Sequence, residues 1–523
     1  MSRPFILRAF TGLVLLLTFV SPWHRDLFVG DETKYGQVVR EMTTLETIAV
    51  PHLNGEPYTH KPPLHFWFVR ALVTLFGTRS IWPFVLPSLL STVALVWLTG
   101  RIAAELAGSG ARPWAELVVS SFALVWGVAQ SARMDSEFVL LTTAAALFLW
   151  RYLETGSRRS LLMSAGCAAI ATLIKGPFAP LILVVHYTLE SVRRRRRPRA
   201  RDLLALPPLL LAPLLWLVPA TLIAGRAWIE EIIVRQAAGR VVNAWTHGEP
   251  FWFYLTGAPA IWFPWILLLA AALVAAWREA RPALRFCVLQ IAATVVPFSL
   301  ISSKLPVYML PTMPAAAVLI GAFVARPDER LARFARTGNR AILLLLAVAG
   351  AVGVTSAASL TDRPEDAALL SRWEPQTLFT MMLVASIAAL VWDLRGAMES
   401  TARNALALAF AFVAPMAVVV AVCMPLANEE ASTAPLVRML SKLDVSGEEI
   451  AMYYVPHLWT RNMPARLESV RQGGGDVLRS HPTPRVVVVR ADKRGELGGD
   501  LLQYELTGSV RMIGKRFDVY QRR

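Results

Sequence analysis

The chain has 523 residues, of which 55% are hydrophobic and 17% charged, with a mean hydropathy of +0.47. These figures exclude a disordered chain and an ordinary soluble enzyme, and they place most of the polypeptide in a bilayer. Lys and Arg number 53 against 37 Asp and Glu, a formal charge of +16, yet the basic residues fall mostly between apolar runs. That is a topology pattern rather than a nucleic-acid footprint. Cys167, Cys287 and Cys423 all lie within apolar stretches and show neither disulfide-framework nor metal-ligand spacing.

A helix crosses the hydrocarbon core with roughly 20 apolar residues. Thirteen segments suit that role: 5–22, 81–103, 113–131, 136–153, 160–174, 177–190, 203–223, 257–277, 286–302, 306–324, 341–360, 376–393 and 404–424. A further stretch, 64–77, is amphipathic and short, and loop charge decides its placement. If it lies in the interface, the inner segments hold 24 Lys and Arg, the outer loops 14 and the C-terminal tail 15. If it spanned, the run Arg193 to Arg197 with Arg199 and Arg201 would face outward, against the positive-inside rule. The reading is therefore thirteen spans, N-terminus inside and C-terminus outside. The first span is expected to stay uncleaved, because no small-residue cleavage site follows it. The arginine run itself reads as a topology determinant that also touches anionic lipid.

Past Met424 the composition turns polar, with strand-like runs at 450–455 and 486–489 and a Gly-rich joint at 473–475. This divides the chain into an all-α integral membrane domain, 1–424, and a small α/β domain, 425–523, on the outer face.

The ionisable residues gather on that same outer side: Asp31, Glu32, His60, Lys61, Arg133, Asp135, Lys175, Arg235, Arg240, His247, Glu249 and Lys304. Ionisable groups at a membrane boundary cost several kcal/mol unless paired or functional, so the cluster is a candidate site. The chain has 46 Arg and 7 Lys; four of the lysines, Lys34, Lys61, Lys175 and Lys304, fall in the short outer loops and none in an inner one. Compact ammonium groups on one face suit phosphate. The segment 226–249, apolar and basic, reads as an interfacial helix able to order around a ligand.

Several motifs now line up in order. Asp31-Glu32 follows the first span; His60-Lys61-Pro62-Pro63 leads into the interfacial helix; Arg133-Met134-Asp135 heads the fourth span. Lys175-Gly176-Pro177 joins two short spans, His247-Gly248-Glu249-Pro250 precedes Phe263-Pro264-Trp265, and Ser303-Lys304-Leu305-Pro306-Val307-Tyr308 follows. Over residues 5–325 this resembles the bacterial lipid A aminoarabinose transferases and their protein O-mannosyltransferase relatives, the GT-C fold glycosyltransferases. Thirteen spans with a small outer domain also resemble the aminoarabinose transferases.

The resemblance implies a bacterial inner-membrane glycosyltransferase that moves a sugar from a polyprenyl-phosphate donor to a lipid A or lipopolysaccharide-type acceptor on the periplasmic face. Asp31 is then the group that receives a proton from, or orients, the acceptor, with Asp135 as the supporting acid and Glu32 as a third candidate. Lys61, Arg240, Tyr308 and Lys304 are candidates to hold the donor phosphate, whose negative charge grows as it leaves. Many relatives carry an acid before Lys-Pro-Pro, implicated in a metal site, where this chain has His60. Histidine also ligates metals, so His60 stands as the one candidate ligand for a divalent ion, although a lone ligand specifies no geometry. No nucleotide cofactor is expected, and membrane lipids but no nucleic acid are expected as partners. Two readings compete: transfer to protein serine or threonine, where Asp31 must act as base, and a transporter of a lipid-linked substrate. Transporters place ionisable groups near the midplane, often with repeat symmetry, and no repeat is visible here.

Overall fold

The computed structural model describes residues 3–232, 248–396, 400–461, 463–467, 470–472 and 483–523. The chain folds as two compact units. One comprises Met1–Val20, Thr59–Pro62 and Pro87–Cys423; the other comprises Ser21–Tyr58, Pro63–Leu86 and Met424–Arg523. One boundary between the units falls at Cys423–Met424. What composition does not reveal is that residues 21–58 and 63–86 fold with the C-terminal part rather than with the spans that flank them.

The first unit is helical. All thirteen expected segments contain helix, and among the described residues nine helices are long and apolar enough to cross a bilayer. The other four are shorter, broken or less apolar. Segment 113–131 splits into Arg112–Ser121 and Ala123–Ala129 because Phe122 is extended (φ −60°, ψ 128°). Segment 257–277 splits into Ala258–Ile261 and Ile266–Arg278. The fifth and sixth segments become Arg158–Lys175 and Phe178–Arg193, of 18 and 16 residues. They are joined by Gly176, whose φ of +81° a side chain would strain.

Burial varies widely among these helices. Met313–Ala325 is enclosed along nearly its whole length, whereas Leu206–Ala224 exposes Leu210, Leu211, Leu214, Leu215 and Leu222. An apolar helix exposed in this way presents lipid-facing surface. Close approach is helped by small residues: Gly350 of Glu329–Ser356 faces the Trp373–Leu394 backbone so tightly that a Cβ would lie 2.6 Å from Leu383 N. Of the expected interfacial segment 226–249, Arg226–Glu230 is helical and the greater part lies outside the described residues.

The second unit joins three early helices, Asp31–Glu41, Leu45–Ala49 and Leu64–Phe76, to a five-stranded sheet. Leu64–Phe76 is the short amphipathic stretch. It buries His65, Phe66, Val69 and Val73 on one face, and Trp67 Nε1 donates to Ile48 O at 2.7 Å. In spatial order the strands are Arg471–Gln472, Ile450–Tyr453, Val486–Arg490, Lys515–Arg522 and Tyr504–Met512, the first three parallel and the rest antiparallel. The two apolar runs read from sequence are the two strands Ile450–Tyr453 and Val486–Arg490, apolar on both faces because both are covered. One face packs Ile450, Val486, Val488 and Phe517 against Leu436 and Leu440; the other packs Val487, Val489 and Tyr520 against Leu497 and Leu501. The Gly-rich joint 473–475 lies outside the described residues.

Candidate active site

In the helical unit, Asp135 opens the Asp135–Thr155 helix, where a carboxylate is favoured by the helix dipole. Its Oδ2 accepts from Arg133 Nε at 2.9 Å, and its Oδ1 is paired with the Lys175 ammonium at the end of Arg158–Lys175. Both members of the lysine pair are buried, with 8% of the Lys175 side chain and 2% of the Asp135 side chain exposed. The Lys175 ammonium also lies 5.2 Å from the Tyr308 ring centre and 5.5 Å from that of Phe138, a cation–π setting. Tyr308 in turn stacks with Phe178 at 6.3 Å between centroids. One acid thus orders two cations, and the trio keeps one net positive charge.

This cluster borders a cleft of about 350 Å³. Lys61, His60, Lys175 and Tyr308 form its polar part, and Pro177, Phe178, Leu181, Trp216, Ile232 and Ile301 its apolar part. A cationic end with aromatic and aliphatic walls is suited to a molecule with an anionic head and a long apolar tail. Three of the residues expected to meet there, Lys61, Tyr308 and His60, do so. Lys304 does not line the cleft: the residue is 3% exposed, and its ammonium donates to Glu249 O at 2.7 Å and Ile301 O at 2.6 Å. Burial pulls it below the usual lysine range, with Glu249 opposing. Its geometry is that of a pin joining 248–250 to the end of the Pro282–Leu300 helix, reinforced by the Gly248–Ser303 bridge. Arg240, Arg235 and His247 lie outside the described residues.

In the second unit, Asp31 and Glu32 start the Asp31–Glu41 helix but have different surroundings. Glu32 is buried and chelated by Arg25 (2.6 and 3.0 Å), and it accepts the Phe28 N–H at 2.8 Å. Asp31 keeps a third of its side chain exposed, with Lys34 at 3.7 Å. The acid set into the framework is therefore Glu32, and the one that reaches solvent is Asp31.

A family model described as dolichyl-phosphate-mannose-protein mannosyltransferase matches residues 60–220. The undecaprenyl phosphate-alpha-4-amino-4-deoxy-L-arabinose arabinosyl transferase 1 of Pseudomonas fluorescens (strain Pf0-1) is 30% identical over 359 residues, 65% of this chain and 62% of that protein. The transferase of the same name from Yersinia enterocolitica is 30% identical over 360 residues, again 65% and 62%. The matched region thus spans about six-tenths of these relatives' length. Among solved structures, ArnT from Cupriavidus metallidurans bound to undecaprenyl phosphate superposes with a TM-score of 0.77 over 99% of this chain and 98% of that one, at 19% identity. The likeness is one of fold: this chain has the GT-C fold.

His60, the candidate ligand for a divalent ion, lines the cleft. Among the described residues, no three His, Cys, Asp or Glu side chains gather as a metal site. His60 shares its cleft with Lys61 and Lys175, whose charges disfavour a cation there. From sequence, Lys175 belongs to the outer lysine set and to the Lys175-Gly176-Pro177 junction but not to the donor-phosphate ligands, whereas the structure puts it in the cleft. Its signal was present: an outer-side lysine before Gly-Pro and an outer-side aspartate at a helix start are natural partners, but 40 residues separate them. Phe178 and Trp216, which wall the cleft, look from sequence like any other span aromatic.

Proposed function

We propose that this chain is a membrane glycosyltransferase that takes a sugar from a polyprenyl-phosphate donor and transfers it to a lipid A-type glycolipid on the periplasmic face of the bacterial inner membrane. The observation that carries the reading is the cleft that combines Lys61, Lys175 and Tyr308 with an apolar wall. The relatives' names, which specify undecaprenyl phosphate-linked 4-amino-4-deoxy-L-arabinose, make that pentose the first sugar to test. The N-terminus is assigned to the cytoplasm and the site to the outside, supported by the 24 to 14 excess of Lys and Arg in the inner segments.

In the transfer, an acceptor oxygen attacks the anomeric carbon while the bond from that carbon to the donor phosphate oxygen breaks. Negative charge grows on the departing polyprenyl phosphate, and Lys61, Lys175 and the Tyr308 hydroxyl stabilise it. Asp31 receives the proton when the acceptor is a hydroxyl; a phosphate acceptor is already ionised, and Asp31 then orients it. The mannosyltransferase description of the matching family model keeps a protein hydroxyl as the second acceptor class.

The experiment is mass spectrometry of envelope glycolipids from a deletion strain carrying either the wild-type gene or Asp31→Asn. A glycolipid heavier by one sugar that returns only with the wild type supports the reading and gives the sugar's mass. Restoration by both genes removes Asp31 from the mechanism. Restoration by neither moves the protein acceptor ahead.

A further inference from the structure

The helix Phe178–Arg193 ends in a run of arginines that the proposed transfer does not use, and the structure sorts them by alternation. Arg194 donates to Glu190 and Glu154 at 2.6 and 2.7 Å. Arg196 donates to Asp202 at 2.9 Å and to the Tyr152 hydroxyl at 2.8 Å. Asp202 also accepts from the hydroxyls of Tyr152 and Tyr187 and from the Arg199 backbone N–H, so the turn is tied firmly to the helices beneath it. Arg195, Arg197 and Arg199, the alternate positions, are exposed and form no ion pair among the described residues. The nearby acids Glu154, Glu190 and Asp202 are already engaged by the inward arginines.

The turn carries an unusual residue for its backbone. Arg196 N donates to Ser191 O at 2.8 Å and Arg195 N to Val192 O at 3.1 Å, the paired bonds of a Schellman cap. The left-handed position of that cap, normally glycine, is Arg195 at φ +50°. The left-handed backbone is strained for a residue with a Cβ, and it leaves the Arg195 side chain exposed.

More cations adjoin. Arg201 packs its guanidinium against Gly156, the residue two before the start of Arg158–Lys175, and exposed Arg158 and Arg159 open that helix. Beyond the cations the surface becomes greasy: Leu203 and Leu204 are exposed, then Leu206, Leu210, Leu211 and Leu214 along Leu206–Ala224, with Leu162 and Met163 one turn into Arg158–Lys175. A fixed row of unpaired arginines at the end of a lipid-facing wall has a specific complement: a phosphate on two acyl chains.

We infer that Arg195, Arg197 and Arg199, with Arg158 and Arg159 beside them, form a binding site for an anionic phospholipid, headgroup on the arginines and acyl chains along the exposed leucines. Free phosphate would use the charge alone and leave the apolar wall without a role.

The test uses the full chain reconstituted in vesicles of phosphatidylcholine and phosphatidylglycerol in equal parts, extracted gently and examined by native mass spectrometry. Wild type is expected to keep phosphatidylglycerol over phosphatidylcholine by roughly tenfold or more, the scale set by several basic side chains meeting an anionic lipid. The variant Arg195→Gly with Arg197→Gln and Arg199→Gln is expected to lose that preference while melting no lower, since glycine relaxes the cap and the other two side chains touch no acid. The pair Arg330→Gln and Arg333→Gln, exposed arginines of the Glu329–Ser356 helix, is expected to keep it. Equal retention of both lipids by wild type overturns the inference. So does an equal loss in both variants, which is general surface charge, and so does release of phosphatidylglycerol by inorganic phosphate, which is a free-anion site.

Discussion

At the scale of single residues, the Asp135–Lys175 pair separates structural from chemical roles. Removing one partner of a buried ion pair leaves the other charge uncompensated, at about 3–5 kcal/mol. Asp135→Asn is therefore expected to lower the melting temperature in detergent sharply. Adding Lys175→Met removes the stranded charge and should recover most of that loss, because a well-packed apolar replacement of a buried pair is often neutral. Sugar transfer should not recover, since the cleft would then lack the Lys175 cation. Lys61→Met is the complementary case. Lys61 is half-buried at the cleft, and its loss should slow transfer by roughly 100-fold, as for one missing stabiliser of developing charge, with little change in melting. Equal slowing and melting in both single variants would count against a donor-phosphate role for Lys61. The residues that sequence placed well were those in compact motifs, such as Lys61 before Pro-Pro. Those it placed poorly depend on partners distant in the chain: Glu32 reads as a twin of Asp31 until Arg25 is seen to chelate it, and Lys304 reads as a phosphate ligand until two carbonyls are seen to occupy it.

At the scale of elements, helices were legible because apolar length alone specifies them in a bilayer. Their breaks were less so: nothing in the apolar run 113–131 marks Phe122 as extended. Strands followed the same logic. The two buried ones are continuous apolar runs, whereas Tyr504–Met512 and Lys515–Arg522 mix exposed charged residues, Glu505, Lys515, Arg516 and Arg522, with buried ones and lack such a signal. The turn after Tyr453 holds a group whose titration is measurable. His457 is held down to about 4 by burial and then by the nearby Lys34, with Arg40 adding to the shift and Glu41 opposing it. The unfolded chain takes up this proton near the ordinary value of 6.5, while the folded one does so only near 4. Between those values the unfolded state binds more protons, so stability is fully present above about pH 6.5 and falls as pH drops towards 4, by on the order of 3 kcal/mol in all. His457→Gln should flatten that limb of a melting-temperature profile against pH. A variant profile parallel to wild type from pH 7 to 4 would assign the acid loss elsewhere.

At the scale of the whole molecule, the least legible feature is that the segment bearing Asp31 folds with the C-terminal part. The bonds responsible join residues some 400 positions apart, and no local pattern announces them. Asp26 N donates to Asn428 Oδ1 at 2.7 Å, Val29 N to Ala431 O at 2.7 Å, and Phe28 pairs with Ser432 as a bridge. Arg461 donates to Pro22 O at 2.6 Å and pairs with Asp26 at 3.5 Å, while Trp459 donates to Thr78 O at 3.2 Å and packs edge-on to Phe84. Leu27 and Trp459 also close over Gly36 in the middle of the Asp31–Glu41 helix. Composition suggests an appended domain, but the hydrogen bonds describe the second half of a unit whose first half carries the candidate acid. A chain ended after Met424 would strip these partners from residues 21–58 and uncover the Gly36 face of the Asp31–Glu41 helix, over which Trp459 closes. An 11-residue helix is marginal in water without such packing. The truncated protein is therefore expected to insert in the membrane, to lose sugar transfer, and to be cut by trypsin at Lys34 and Arg40 at least tenfold faster than the full chain, with opening of the segment no longer opposed by burial. Cleavage between the long helices of the other unit should keep its original rate. If Lys34 and Arg40 stay as protected as before, residues 21–58 hold themselves together, and the C-terminal part then contributes to transfer by some route other than supporting Asp31.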